Sequence, residues 1–486
     1  MNTLSCKAQR LVQHMGTGEL RGNAYDTAWV ASIKKDSGRC AVPNARAWIV
    51  ANQRADGSWG SATDNLHDRV ISTTAALMCL CDDPKHQTQA EKGREYLEKA
   101  VPALQDGDTT PVGFEMSLPP LIDKIEQSSG AFSFSISRYR KKREKKLKRI
   151  PDRMRMSHAT PLVFSWEIWD EDDTPEIPLA PNGSIGSSPA STTALMKRSP
   201  NAEGMNYLNR SFDMQGNGGV VAFNDYSIMN RAFTLYNLMR VGMPITRIIR
   251  QAALALKEQW TSAGVAFSPN FPVPDVDDTA VALWVMRKTG VLKGTEGLDT
   301  LRAYWDDDHF RTYPFESDPS TVANAHVLDA LNTFPSSAKV DEMREGTLGF
   351  LKSRMVNGDH WTGEKFYLSD IHATAHIASA VGTWEDQTAR RGIDWLEKQR
   401  KQNNLWGIGS GTAEETAYAL TATILHSQEV ENLDIEHLRS SAEEIRRAID
   451  SKNDPDIWIA KTLFSPTDIV RSAKIGAVMA FDMEVK

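Results

Sequence analysis

Small and apolar residues recur at three- and four-residue intervals in "TAWVASI" (27–33), "VISTTAALMCL" (70–80), "TAVALWVMRKTG" (279–290), "AHVLDALNTF" (325–334), "AHIASAVGTW" (375–384) and "ETAYALTATILHSQ" (415–428). That is the spacing of a helix face turned to a core. Alternating strand-like runs are scarce, so the pattern predicts an all-α chain. Glycine and proline punctuate it in "PNGSIGSSPAS" (181–191), "DMQGNGGV" (213–220) and "SPNFPVP" (268–274). "QRADGSWGSA" from Gln53 and "KQNNLWGIGS" from Lys401 each set a Trp-Gly turn before a helix rich in Thr and Ala, a weak internal repeat. Repeated helical hairpins favour a closed α/α barrel, which would enclose a deep apolar cavity.

With 486 residues the chain has room for two to four domains. No run approaches the roughly eighteen apolar residues of a membrane span. The start, "MNTLSCKAQRLVQHMGTGEL", has no apolar core behind a basic segment, so a cytoplasmic protein is expected. Four cysteines (Cys6, Cys40, Cys79, Cys81) are too few and too badly spaced for a disulfide framework or a zinc site. The net charge of -7 argues against a nucleic-acid partner, yet Arg138 to Arg149, "RYRKKREKKLKR", holds nine Lys or Arg in twelve residues. A solvated face is the plain explanation of such a run.

"FPVPDVDDTAVALW" (271–284) places Asp275, Asp277 and Asp278 directly before an apolar helix. Acidic residues suit a first helical turn, so all three serve as caps on one reading. On the other, three carboxyl groups crowded in a low-dielectric site cannot all ionise, and a neutral one is a Brønsted acid. Phe271, Val273, Val276 and Trp284 supply apolar company, and aromatic faces can shield a carbocation without attacking it.

The blocks "AYDTAWVA", "DGSWG", "DRVISTTAAL", "VGFEMSLP", "KLKRIP", "NGSIGSSPAST", "DVDDTA", "NAHVLDAL" and "EETAYAL" occur in this order between Ala24 and Leu420. Together they resemble the class II diterpene cyclases of the copalyl diphosphate synthase type, with "NAHVL" and "EETAYAL" similar to the fungal branch. The resemblance implies two α/α barrels, γ inserted into β: residues 1–43 as the N-terminal segment of β, 44–204 as γ and 205–486 as the rest of β. It implies proton-initiated bicyclisation of geranylgeranyl diphosphate with the diphosphate retained, giving a labdane-type copalyl or rearranged clerodane skeleton. Asp277 is then the acid, Asp275 and Asp278 its tuning neighbours, and Asn324 the group that orients it. An N-cap is the competing role for Asn324. Lys146, with Arg149 near it, would grip the diphosphate, and Glu115 would contact Mg²⁺ or form an ion pair.

The sequence departs from plant relatives where their terminating His-Asn dyad stands: Phe164 of "LVFS" and Ala222 of "GGVVAF" occupy those places. Tyr367, His372 and His376 are candidate replacement bases; Phe164, Trp166, Phe223, Trp305 and Trp361 are candidate cavity rings. "DDTPE" (172–176) and "WDDDHF" (305–310) are acidic but unlike a class I metal motif, so a downstream class I synthase or a fused α domain is the implied partner. Rival readings are a drimane from farnesyl diphosphate, a squalene-type cyclase, a helical scaffold for an acidic partner, and an α/α-barrel glycosidase.

Overall fold

A computed structural model describes residues 3–35, 37, 40–106, 109–151, 157, 159–169, 177–212, 218–314, 316, 318–426 and 435–484. Arg153, the acidic stretch 172–176 and residues 213–217 lie outside them. The described chain is helical, with three two-residue strand pairs, β1·β2 (Gly22–Asn23, Val220–Val221), β3·β4 (Trp305–Asp306, His309–Phe310) and β5·β6 (Trp458–Ile459, Leu463–Phe464). In chain order the α-helices are α1 Thr3–His14, α2 Ala24–Ala31, α3 Pro43–Ala51, α4 Leu66–Leu80, α5 Gln87–Ala103, α6 Phe114–Ser129, α7 Ser137–Arg149, α8 Pro189–Arg198, α9 Ala202–Arg210 and α10 Ser227–Arg240. They continue with α11 Arg247–Gln259, α12 Val276–Lys288, α13 Leu298–Arg302, α14 Thr321–Leu331, α15 Ala338–Ser353, α16 Asp370–Val381, α17 Asp386–Gln399, α18 Ala413–His426, α19 Ile435–Ala448 and α20 Thr467–Glu484.

Six of these close a ring: α10 packs on α12, α12 on α14, α14 on α16, α16 on α18, α18 on α20, and α20 returns to α10. Their sequences are apolar nearly all round, as helices enclosed on every side must be, whereas the amphipathic α11, α15, α17, α19 and α1 cover them outside. A second ring joins α2, α4, α6, the 3₁₀ helix Pro161–Ile168 and α8. The fold is therefore the expected pair of α/α barrels, one inserted into the other after α1. The insert's two ends are tied by β1 and β2, which pair Gly22 with Val221 and Asn23 with Val220. Its buried core begins at Ala24 and ends at Val220, so α2 belongs to the inserted barrel's inner ring.

The Trp-Gly repeat has a physical basis. Trp59, Trp361 and Trp406 each donate the indole N–H to a carbonyl ten residues earlier, on Ile49, Leu351 and Leu396, at 2.7, 2.7 and 2.6 Å. Each backbone N–H goes to a threonine on the next inner helix: Thr73, Thr374 and Thr416, at 2.9, 3.0 and 3.0 Å. A carbonyl left over at a helix end is thus satisfied inside the core. Trp361 is the third copy, hidden from the spelling by "WT" in place of "WG". Replacing buried Thr374 by valine strands the Trp361 N–H and should cost about 1–3 kcal/mol, read as a lower denaturant midpoint; an unchanged midpoint would remove the clamp from the account.

Candidate active site

The same clamp carries the aspartate motif. The N–H of Val265 donates to Thr279 Oγ1 at 3.1 Å, and Gly264 (φ +97°) lies so close that a Cβ would stand 2.2 Å from that hydroxyl. Asp275 caps α12, accepting the Asp278 N–H at 2.9 Å. Asp277, two residues into the helix, shares the inner face with Trp284, one heptad on. All three aspartates are buried; Asp277 is 8% exposed.

Burial is the largest influence on the flanking pair. It pushes Asp275 up to about 7, and it pushes Asp278 well above the usual carboxylate range, with the charge of Asp275 adding to the effect. At neutral pH the two together hold at least one proton, so Asp277 is not surrounded by two full charges. Both Asp277 oxygens have partners: Oδ1 lies 2.6 Å from His326 Nδ1, and Oδ2 accepts the Tyr367 O–H at 3.2 Å. The Tyr367 O–H, joined by His326 when its hydrogen sits on Nδ1, stabilises the anion that proton transfer would leave behind.

Asn324 does not orient Asp277, contrary to the expectation. Its Oδ1 accepts the Phe310 N–H at 2.8 Å, and its Nδ2 donates to the carbonyls of Phe310 and Ser320 at 2.9 and 2.8 Å. It fills the threonine place of the repeated clamp, which uses up the amide. His326, two residues further along α14, makes the contact instead. Its signal was a lone histidine in the small and apolar helix "NAHVLDAL".

Two expected cavity rings also stand elsewhere. Trp361 is fully buried and spent on its clamp. Trp305, on β3, packs against Phe310 and α15, an outer helix. The rings that do meet form a wall across the two barrels. Phe164 touches Phe223, Phe267 and Phe271 with centroids 6.2, 6.1 and 6.4 Å apart. Phe223 leads to Phe464 (5.1 Å), Phe464 to Trp458 (6.2 Å) and Trp458 to Tyr367 (4.9 Å), which reaches Asp277. Ala222 is buried beside Phe223, and Trp166 packs on Trp169 behind Phe164.

His372 and His376 gather on α16 around the same axis. His372 stacks on Tyr367 at 4.2 Å and lies 4.4 Å from His376. Burial holds both rings well below the usual imidazole range, so they are neutral.

The basic helix α7 sits apart from this wall. Lys146 pairs with Glu115 and is about half exposed; Arg149 is exposed at the helix end. Most of the run is spoken for: Arg140 on Asp123, Lys142 on Asp106, Lys148 on Glu144, and Arg143 on the carbonyls of Met116 and Ile168. The cation beside the wall is Lys461, at the tip between β5 and β6, whose Nζ stands 4.8 Å from the Phe164 ring. It pairs with Glu167 at 2.8 Å and donates to Ser188 Oγ at 2.6 Å. A single lysine inside "WIAKTLF" was its sequence signal.

Clefts of about 480 Å³ beside α6 and α7, about 580 Å³ beside β3 and β4, and about 210 Å³ between Val163 and Phe271 open on the described residues. None of the three touches Asp277. Among the described residues no group of three His, Cys, Asp or Glu side chains could hold a metal, and no helix is long and apolar enough to cross a membrane.

No family model matches the chain. A type B diterpene cyclase of Mycobacterium tuberculosis is 29% identical, covering 96% of this chain and 97% of its own. A bifunctional levopimaradiene synthase of Ginkgo biloba is also 29% identical over 75% of this chain, but this chain spans only 44% of that protein. Of solved structures, an ent-copalyl diphosphate synthase from Streptomyces platensis superposes with a TM-score of 0.78 at 21% identity over 99% of both chains. The ent-copalyl diphosphate synthase of Arabidopsis thaliana gives 0.75 at 21% identity, over 98% of this chain and 63% of that one. These structures share the double-barrel fold, and the sequence relative to which the chain is similar over nearly its whole length is a diterpene cyclase.

Proposed function

We propose that the protein cyclises geranylgeranyl diphosphate by protonating its terminal alkene from Asp277, closing two rings and retaining the diphosphate. The observation that carries this reading is a buried aspartate with a polar partner on each oxygen, at the end of an aromatic wall. An unactivated alkene is a poor base, so the acid must work without competing water and with its conjugate anion already provided for. His326 and Tyr367 provide for it. The wall from Tyr367 to Phe164 offers π-faces to the cations that follow. A folded prenyl chain needs on the order of several hundred Å³, so the reading requires this inter-barrel wall to part when substrate enters.

Lys146 and Arg149 stay our proposed diphosphate contacts, in the inserted barrel, which we place at about 24–220 on the strength of its core. Glu115 offers one carboxylate, which suits a Mg²⁺ ion taking its remaining ligands from diphosphate and water. Such an ion would screen the diphosphate's charge. For the last proton we favour His372: its ring is neutral, and a carbocation is so strong an acid that a weak base suffices. Phe164 and Ala222 offer no base, which fits a product other than that of the plant dyad, a labdane or a rearranged clerodane. A class I enzyme would then ionise the retained diphosphate.

Incubation with geranylgeranyl and farnesyl diphosphates, followed by dephosphorylation and mass spectrometry, tests this. A bicyclic C20 alcohol is expected; a C15 drimane moves the substrate to farnesyl diphosphate, and no cyclised product from either removes the proposal.

A further inference from the structure

Arg240, the last residue of α10, donates from Nη1 to Nδ1 of His376 at 3.2 Å. A guanidinium has donors and no acceptor, so Nδ1 of His376 is bare. Burial keeps that ring neutral, and its hydrogen therefore sits on Nε2. That Nε2–H is buried without a partner. Beside this ring stands that of His326, with the two centroids 5.3 Å apart and the planes turned by 85°. His326 has Nδ1 on Asp277 and its own Nε2 buried without a partner. One ring presents a donor that lacks an acceptor, and the other a nitrogen that lacks a partner.

We propose that Arg240 and His376 are positioning residues that bias the tautomer of His326, through one water between the two Nε2 atoms, neither of which has a protein partner. A bridging water serves nearly as well as a direct bond. A water that takes the Nε2–H of His376 has two hydrogens of its own to place, and a bare Nε2 on His326 accepts one of them, which leaves the His326 hydrogen on Nδ1, donated to Asp277.

The tautomer decides whether Asp277 can act. With Nδ1–H donated to Oδ1 and the Tyr367 O–H donated to Oδ2, both contacts treat Asp277 as an acceptor, and its acidic hydrogen points away from them. With the opposite tautomer Nδ1 is bare, and Asp277 spends its own hydrogen on His326. Only the first arrangement leaves a proton for an alkene. Arg240 stands well placed to hold this polarity, because its guanidinium is half-buried over Tyr236, at 5.2 Å from the ring centre. It also borders a hole of about 10 Å³ shared with His376, Ser379 and Thr421, room for about one water. The charge thus keeps a hydrated side while its other side fixes His376.

The inference rests on Asp277 being the acid, and its test has one arm that does not. In protein with ¹⁵N-labelled histidine, NMR should show His326, assigned by its loss in His326→Gln, as the Nδ1–H form and His376 as the Nε2–H form. Arg240→Leu should turn His326 into a mixture of tautomers and lower kcat on geranylgeranyl diphosphate by about 10- to 100-fold at unchanged KM. Arg240→Lys, which keeps a donor, should restore most of the rate. His376→Phe gives a second variant with the same expected split, in case Arg240→Leu does not fold. A His326 that is Nε2–H in the wild type, or a kcat unmoved by both variants, overturns the inference. If the wild type cyclises nothing, the proposed function fails, while the spectra still decide the tautomer.

Discussion

Asp277→Asn should lose about four orders of magnitude or more in kcat while melting within a few degrees of the parent. Asparagine has the volume of aspartate and keeps an oxygen for His326 or Tyr367, so the barrel mouth stays packed. What it lacks is a proton to give. Asp278→Asn should cost much less, because Asp278 acts through the charge it withholds from the site: burial already keeps it neutral, and an amide is neutral too. Rates measured on geranylgeranyl diphosphate, with circular dichroism as the folding control, separate the two. An Asp277→Asn protein that retains a tenth of the parent rate would show that the proton comes from elsewhere.

Lys461→Met should lower stability by about 3–5 kcal/mol. The Lys461 and Glu167 side chains are 2% and 0% exposed, and Glu167 also accepts from the Tyr25 O–H at 3.0 Å and the Ser191 hydroxyl at 2.7 Å. Removing the ammonium leaves a carboxylate deep in protein with neutral donors alone, the costly case for a buried pair. Lys461→Met with Glu167→Leu should recover most of the loss, since two apolar groups need no partner. The two charges come from different barrels, so the pair also pins the β5–β6 hairpin, with Trp458 and Phe464, to the inserted domain. Denaturant midpoints for parent, single and double variants test this; a single variant within about 1 kcal/mol of the parent would mean that Glu167 finds another cation or a proton.

Much of this was legible in the residues. Helix faces read as three- and four-residue spacing because each inner helix must bury itself on every side, and that demand is written locally. The cap at Asp275 and the crowding of Asp275, Asp277 and Asp278 follow from four adjacent positions. Even the Trp-Gly repeat was visible, though Trp361 escaped it, because the clamp depends on an indole N–H and a threonine rather than on the glycine.

What meets Asp277 was not legible. Asn324 and His326 differ by two residues on one helix, and which of them reaches the acid depends on the rotation of α14 about its axis. That rotation is set by the Phe310 turn, which captures the asparagine amide and so turns the histidine inward. Lys461 shows the same limit from the other side: its partner lies 294 positions away, across a junction that exists only once two barrels have closed. Sequence therefore determined which segments become helices and which side of each is buried, since those depend on neighbours within a turn or two. Tertiary packing decided which polar atoms share the space inside, because every such atom must find a partner there and the first to be satisfied fixes what remains for the others.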